Sequence, residues 1–530
     1  MNWFKKIDQD KSSCNIQERD EKSEWETYPF EKLLEQIHNL YEAFFITNNK
    51  IKKQNSMACI TEILSVFDIK QMIRLDNHFR SQYHYDYQYH FYHIYHKIDW
   101  KKLSTARTDY SYLNDKEYAY FLIIGSFHPN GYFRQNCVKE MATKKDMLPF
   151  IVLRINDWIE PVQEEAYNAA IIRIVSSTVS ELFETLPVMI KVKNSMRRKE
   201  HHLKTIQSAI ESCLKEYIPN MKIEEINNYS LSVRNAFYRF ICKYEVLDRN
   251  RMEKIMQIEK SIFAKRILIH AIIKRYGLQE EDYNRYIKDK SSAVRRHAAE
   301  TWYFLKEDVW NGAEMLLMDE CKNIRSLAHY IFEKHTQFSI VDFYLSELEK
   351  KESYIAILGV GESGDKKHAK LLLPYLQSKQ LKVVRSALLS LSNLLKEDGE
   401  ELYYDYLQVK EPVLVKIAYL SSRKYNIHHG IDFLKQLFLE SDHPNFKQYA
   451  LLLLVREPGW KKVSALLDLC TIKEEPYYSI IWSGMWVQSM YCSLSRELAD
   501  EIEQKLDKYQ NEFTQLGYEL MKLELKHATK

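Results

Sequence analysis

Residues 359–395 read GVGESGDKKHAKLLLPYLQSKQLKVVRSALLSLSNLL, a stretch that sets Gly359, Gly361 and Gly364 within six residues of a chain holding only 12 glycines in 530. The spacing is G-x-G-x-x-G, the pattern of a loop whose free N–H groups cradle a phosphate at a helix N-terminus. That fingerprint also needs a strand before it and a βαβ unit around it. Here the preceding SYIAILG is helix-like, and from Leu381 the chain resumes an apolar period of 3.6 residues. The glycines are therefore expected to end one helix and let another approach closely, with Asp365 capping the next.

Working outward, the segment LKVVRSALL has relatives along the chain. NGYFRQNCV (Phe133), WIEPVQEEA (Val162), SLSVRNAF (Val233), SSAVRRHAA (Val294), KNIRSLAH (Ile324), LKVVRSALL (Val384), VLVKIAYL (Val415) and NFKQYALL (Phe446) align on the named apolar residue. Successive separations are 29, 71, 61, 30, 60, 31 and 31 residues. The longer gaps are close to two units, with absent members expected near Met196, Ala264 and Tyr354. Self-similarity near 30 residues is the signature of stacked helical hairpins, each burying its apolar face only against its neighbours. The expected fold class is all-α, an α-solenoid of antiparallel helix pairs.

Composition agrees. With 12 Gly and 11 Pro the chain lacks the turn residues that an all-β or α/β protein of this length uses. FEKLLEQIHNLYEAFFI places Phe30, Leu33, Leu34, Ile37, Leu40, Tyr41 and Phe44 on one helical face. Lys+Arg 76 against Asp+Glu 73 leaves a net charge of +3, without the overall basic excess of a dedicated nucleic-acid binder. The eight cysteines carry no C-x-x-C pair or zinc-ligand spacing and read as reduced, mostly buried thiols. No apolar run approaches the roughly 18 residues of a membrane span, and the first residues lack a signal-peptide core. A soluble cytoplasmic protein is expected. Its organisation is expected to be a polar tail over 1–28, a helical N-terminal region over 29–112, a repeat array over 113–490 and a capping helix over 491–530.

IAILGVGESGDKKHAKLLLPYL followed by SKQLKVVRSALLSLSNLL resembles the HEAT repeat, in the variant associated with phycobilisome lyases. A small-residue turn with Gly-Asp separates the repeats there, and a helix opening at Val-Arg follows. SSAVRRHAAETWYFL, KNIRSLAHYIFEKH and INDWIEPVQEEAYNAAIIRIV resemble the second helix of the same unit, the last with Gln163 at the basic position. The resemblance spans about residues 113 to 490 and is strongest from 285 to 455. It implies a fold and a tendency to bind partners, and no reaction.

Three groups of residues are candidates for function. Arg134, Arg234, Arg295, Arg325 and Arg385, with Lys416 and Lys447 in register, form a ladder. It could face a phosphate chain or an acidic protein, or pair internally with turn acids such as Asp289 and Asp319, six residues before Arg295 and Arg325. Asp157 stands at the matching place before Gln163, where a neutral side chain must donate. The run KVKNSMRRKEHHLK carries Lys191, Lys193, Arg197, Arg198, Lys199 and Lys204, which Arg134, Arg295 and Arg296 would extend around a groove. An aromatic tract holds His84, His90, His93 and His96 among seven Tyr and Phe, a set suited to half-buried packing or partner contact more than to a metal. Trp482 and Trp486 are expected to pack in the last repeat.

No G-x-S-x-G, G-x-x-x-x-G-K-[ST] or kinase-like set is present, so no catalytic residue, cofactor or metal is assigned. The leading expectation is a non-enzymatic scaffold that binds another protein on its concave, second-helix surface. The alternative is a nucleic-acid-associated protein resembling the HEAT-like alkylpurine DNA glycosylases, whose aromatic and acidic set has no assignable counterpart here.

Overall fold

The computed structural model describes residues 29–85, 98–195, 197, 199–486 and 494–528, with backbone alone over 80–85. The described residues hold helices and turns and no strand. The chain divides into two compact units, Met1–Ala298 and Ala299–Lys530.

The first unit contains α1 (Phe30–Ile46), α2 (Lys50–Ser65), α3 (Ile69–Tyr85), α4 (Asp115–Gly125), α5 (Gly131–Met141), α6 (Leu148–Leu153) and α7 (Glu160–Val175). It continues through α8 (Val179–Lys193), α9 (Glu200–Tyr217), α10 (Leu231–Tyr244), α11 (Arg249–Ile258), α12 (Ile262–Tyr276), α13 (Glu280–Tyr286) and the first half of α14 (Ser292–Lys306). The second unit holds α15 (Lys322–His335), α16 (Ile340–Lys350), α17 (Tyr354–Ser363), α18 (Ala369–Leu372), α19 (Leu381–Leu395), α20 (Glu400–Leu407) and α21 (Pro412–Lys424). It ends with α22 (Ile431–Glu440), α23 (Pro444–Leu454), α24 (Lys461–Leu467), α25 (Tyr477–Met485), α26 (Arg496–Lys508) and α27 (Gln515–Ala528). Both units are built of antiparallel helix pairs stacked on their neighbours, the α-solenoid arrangement.

The aligned apolar residues explain the stacking. Phe133, Val162, Val233, Val294 and Ile324 are each the third residue of their helix, and each is buried. Ala264, one of the absent members, is the third residue of α12 and fully buried. Tyr354 opens α17, whereas Met196 lies outside the described residues. In the second unit the second helices form one continuous layer: α17 packs on α19, α19 on α21, α21 on α23 and α23 on α25. Their partners α20, α22, α24 and α26 make the other layer, and Tyr403, Leu434, Leu451, Leu466 and Ile502 join the core between them. The first unit is less regular. α5, α7 and α9 follow one another in one row, while α6 packs on α8, α8 on α10 and α10 on α12. The 71-residue gap between Val162 and Val233 thus marks a change of row, not two plain repeats.

The glycines of the opening stretch lie where helices touch. A Cβ on Gly359 would sit 2.3 Å from the Tyr344 ring, and one on Gly361 would sit 2.3 Å from Ser390 Cβ, so both belong to the interior of α17 at close crossings. Ser390 Oγ then donates to the Ile357 carbonyl at 2.9 Å across the α17–α19 contact. Asp365 caps the short turn Lys366–His368, its Oδ1 accepting from Lys367 N at 3.2 Å. At the C-terminus two helices stand where one capping helix is expected. The chain breaks at Phe513, which is extended, and Thr514 Oγ1 accepts from Gly517 N at 3.1 Å to start the last helix.

A buried chain of charges ties the first unit together. Arg134 donates to both carboxylate oxygens of Asp157, at 3.0 and 2.7 Å. Arg154 lies 3.9 Å from Asp157 and 2.6 Å from Asp76 on α3. All four side chains are 3% exposed or less. Removing one member of such a chain leaves its partners charged without water. Asp157→Ala is expected to cost about 3–5 kcal/mol in urea unfolding, against within about 0.5 kcal/mol for Asp115→Ala at an exposed site.

Burial also sets a pH response in the second unit. His429, whose Nε2 lies 2.7 Å from Ser422 Oγ, is pushed from its ordinary 6.5 down to about 4, first by burial and then by the neighbouring His428 charge. Between those values the unfolded chain binds a proton that the folded chain refuses, so stability present above pH 6.5 is lost as pH falls toward 4. Unfolding midpoints measured across that window should fall with pH, and less steeply for His429→Gln.

Candidate functional site

The structure separates the ladder into two kinds of rung. Arg134, Arg234, Arg295 and Arg325 each turn back over the start of their own helix. Arg134 Nη1 donates to the carbonyls of His128 and Pro129, both at 2.7 Å. Arg234 Nη1 donates to Tyr229 O at 2.7 Å, Arg295 Nη1 to Asp289 O at 2.9 Å, and Arg325 Nη1 to Asp319 O at 2.7 Å. In three of the four the rest of the guanidinium reaches an acid further along the chain, Asp157 for Arg134, Glu259 for Arg234 at 2.9 Å, and Glu362 for Arg325 at 2.9 and 2.6 Å. Each such Arg fastens two successive elements of the stack. The turn acids act through their backbone: Asp289 and Asp319 offer Oδ1 to the N–H two residues on, at 2.7 Å each, and leave the carbonyl to the Arg. Gln163 copies the pattern without charge, donating to the Asp157 and Arg197 carbonyls.

The electrostatics follow from burial. Glu259 would be raised by burial, but Tyr238 OH, Ser261 N–H and Arg234 hold its carboxyl below its ordinary range. Burial works against the Arg325 guanidinium, and the bonds and charge of Glu362 more than reverse it, so its pKa stands above the usual value.

On α19 and α21 the rungs face solvent. Arg385 and Lys416 are exposed, and no hydrogen bond or ion pair engages either among the described residues. Lys447 is half-buried, its ammonium 5.9 Å from the Phe438 ring centre. One turn on from Arg385 and Lys416, Leu389 and Leu420 are exposed as well. The sequences of α19, α21 and α23 contain Lys382, Arg385, Lys416, Arg423, Lys424 and Lys447 and not one Asp or Glu. The opposite layer carries the acids, Glu400, Glu401 and Asp405 on α20 and Asp432 and Glu440 on α22. One cation is linked to the helix of another. Lys424 Nζ lies 3.4 Å from Asn393 Oδ1 on α19, whereas Lys382 sits over the Tyr354 ring of α17 at 3.6 Å and lies 3.6 Å from Glu320. The result is a face of positive charge and leucine that spans three consecutive second helices.

The basic run disperses. Lys199 pairs with Glu160 at 2.6 Å and also with Glu164, and Lys204 lies 4.0 Å from Glu200. Lys191 donates to Asn77 Oδ1 at 3.0 Å. His202 is buried against Tyr167 with ring centres 4.1 Å apart, and burial lowers its pKa. Arg197 and Lys193 are exposed, Arg296 is exposed on α14, and Arg198 lies outside the described residues. His90, His93 and His96 also lie outside them, as does the side chain of His84. Trp482 packs on Phe513 at 4.8 Å. Among the described residues no three His, Cys, Asp or Glu side chains are placed to hold a metal, and no helix is long and apolar enough to cross a membrane. A cleft of about 900 Å³ in the first unit mixes Asp68, Asp115, Asp146 and Glu184 with Lys116, Lys144 and Lys145, so it favours no single sign of ligand.

No protein-family model matches the chain, and no curated protein matches it. Among solved structures, the crystal structure of a Kap121p mutant is 12% identical with a TM-score of 0.32, over 95% of this chain and 65% of that one. The chain therefore spans less than two thirds of that protein's length. The architecture above rests on the chain's own helix pairing.

Removing an internal rung should be costly and removing an external one cheap. Arg325→Ala is expected to lose about 3–5 kcal/mol in denaturant unfolding, whereas Arg385→Ala and Lys416→Ala stay within about 0.5 kcal/mol of the parent chain.

Proposed function

We propose that this protein is a non-enzymatic HEAT-like scaffold that binds an acidic, leucine-bearing segment of another protein along the face of α19, α21 and α23. The observation that carries the proposal is the segregation of charge. Three stacked helices without a carboxylate present Arg385 and Lys416, two exposed cations with no partner among the described residues, beside Leu389 and Leu420. Extended faces of this kind bind by complementarity over many repeats rather than through one pocket, and in solenoids the second helices line the concave side. The resemblance to phycobilisome-lyase repeats supports a partner-binding array and adds no chemistry to it.

A nucleic acid is the second polyanion such a face could meet. Leucines between the cations favour a polypeptide, since a single-stranded nucleic acid takes aromatic platforms for its bases. A fluorescent peptide of alternating Glu and Leu should bind with an affinity that falls as salt rises. Arg385→Glu combined with Lys416→Glu should weaken it by about tenfold or more, roughly 1.4 kcal/mol. An unchanged affinity in the double variant would overturn the assignment of this face. Tighter binding of a DNA or RNA oligonucleotide, lost in the same variant, would replace the protein partner with a nucleic acid.

A further inference from the structure

Where the first unit changes rows, three helices fail to close on one another. α8, α9 and α10 surround a cavity of about 300 Å³, the lower end of the range that holds small molecules. Its walls are apolar: Leu186, Met189 and Ile190 from α8, Ile210 from α9, and Ala236 and Phe240 from α10. The mouth is cationic, with Lys193 at the end of α8 and Arg239 and Lys243 on α10. One carboxylate, Glu211, shares the site, but it is already engaged. It accepts from Gln207 Nε2 at 2.5 Å and from Tyr244 OH, and lies 3.9 Å from Lys243. Lys193 and Arg239 remain exposed, and no hydrogen bond or ion pair engages them among the described residues.

We infer that this cavity binds a single-chain anionic amphiphile, its carboxylate held between Lys193 and Arg239 and its hydrocarbon chain on Met189, Ile190 and Phe240. Burying the chain removes apolar surface from water on both sides. The head group keeps its charge because a guanidinium and an ammonium meet it at the mouth. A volume of about 300 Å³ suits one such chain rather than the apolar face of a partner's helix. The site is independent of the basic face of the second unit.

The probe is dodecanoate below its aggregation concentration, titrated calorimetrically into the full chain. Saturable binding of one molecule per chain is expected, with dodecyltrimethylammonium at least tenfold weaker. Lys193→Glu with Arg239→Glu should lose at least tenfold in affinity, and both positions are exposed, so folding is spared. Equal binding of the two amphiphiles, or a double variant that binds like the parent, would overturn the site. So would retention on anionic phospholipid vesicles without uptake of the monomer, which would make the cations a membrane contact instead.

Discussion

Asp157 has no access to water and holds two guanidiniums, those of Arg134 and Arg154. Charges in such a place are tolerable only as a closed set, because each ion taken from water costs several kcal/mol until a partner and hydrogen bonds replace its hydration. Arg154 completes the set by reaching Asp76 on α3, and Asp157 also caps its own turn by accepting from Ile159 N at 3.0 Å. Three regions distant in sequence, near residues 76, 134 and 157, therefore have one mutual arrangement that satisfies them all. The apolar stacking of the first unit is built around that constraint.

The same device recurs in diluted form. An Arg near the start of a helix clamps the carbonyls of the turn before it and reaches an acid further on, as Arg234 does with Glu259 and Arg325 with Glu362. A solenoid needs such a device because each repeat buries only one face against each neighbour and has no common core to register it. From α19 onward small residues take over the task. Gly361 against Ser390, and Ser392 hydrogen-bonded to Ser421 at 2.6 Å, bring the helices close without an ion pair. Arg385 and Lys416 are thereby released to the surface, and the structural ladder becomes a charged face.

Much of the fold is legible from local pattern. The third-position residues Phe133, Val162, Val233, Val294 and Ile324 mark helix starts and are buried, whereas Val384 and Val415 stand fourth in their helices and Phe446 is half-buried. The five residues of α1 that are buried, Leu33, Leu34, Ile37, Tyr41 and Phe44, all belong to the stripe expected for it. The change of row between α7 and α10 is invisible in the same pattern, since α8 and α10 keep ordinary helical periods and differ only in which helix they meet. The candidate site was half legible. Arg385, Lys416 and Lys447 stand in register, and the absence of Asp and Glu from α19, α21 and α23 can be read directly. That Arg134 and Arg325, in the same register, are interior staples cannot, because the acids that bind them are 23 and 37 residues away.

By itself the sequence determined the helical class, the period near 30 residues and the position of each basic rung, because these follow from side-chain periodicity and turn chemistry within a single repeat. It also pointed to GVGESGD as a place where helices meet closely, although Gly359 and Gly361 lie inside α17 and only Gly364 stands at its end. Only the tertiary structure decided which cations are consumed and which are presented, and where three helices leave a chamber. Those outcomes depend on distances between residues that share no local pattern, and on whether water reaches a charge once the neighbouring helix is in place.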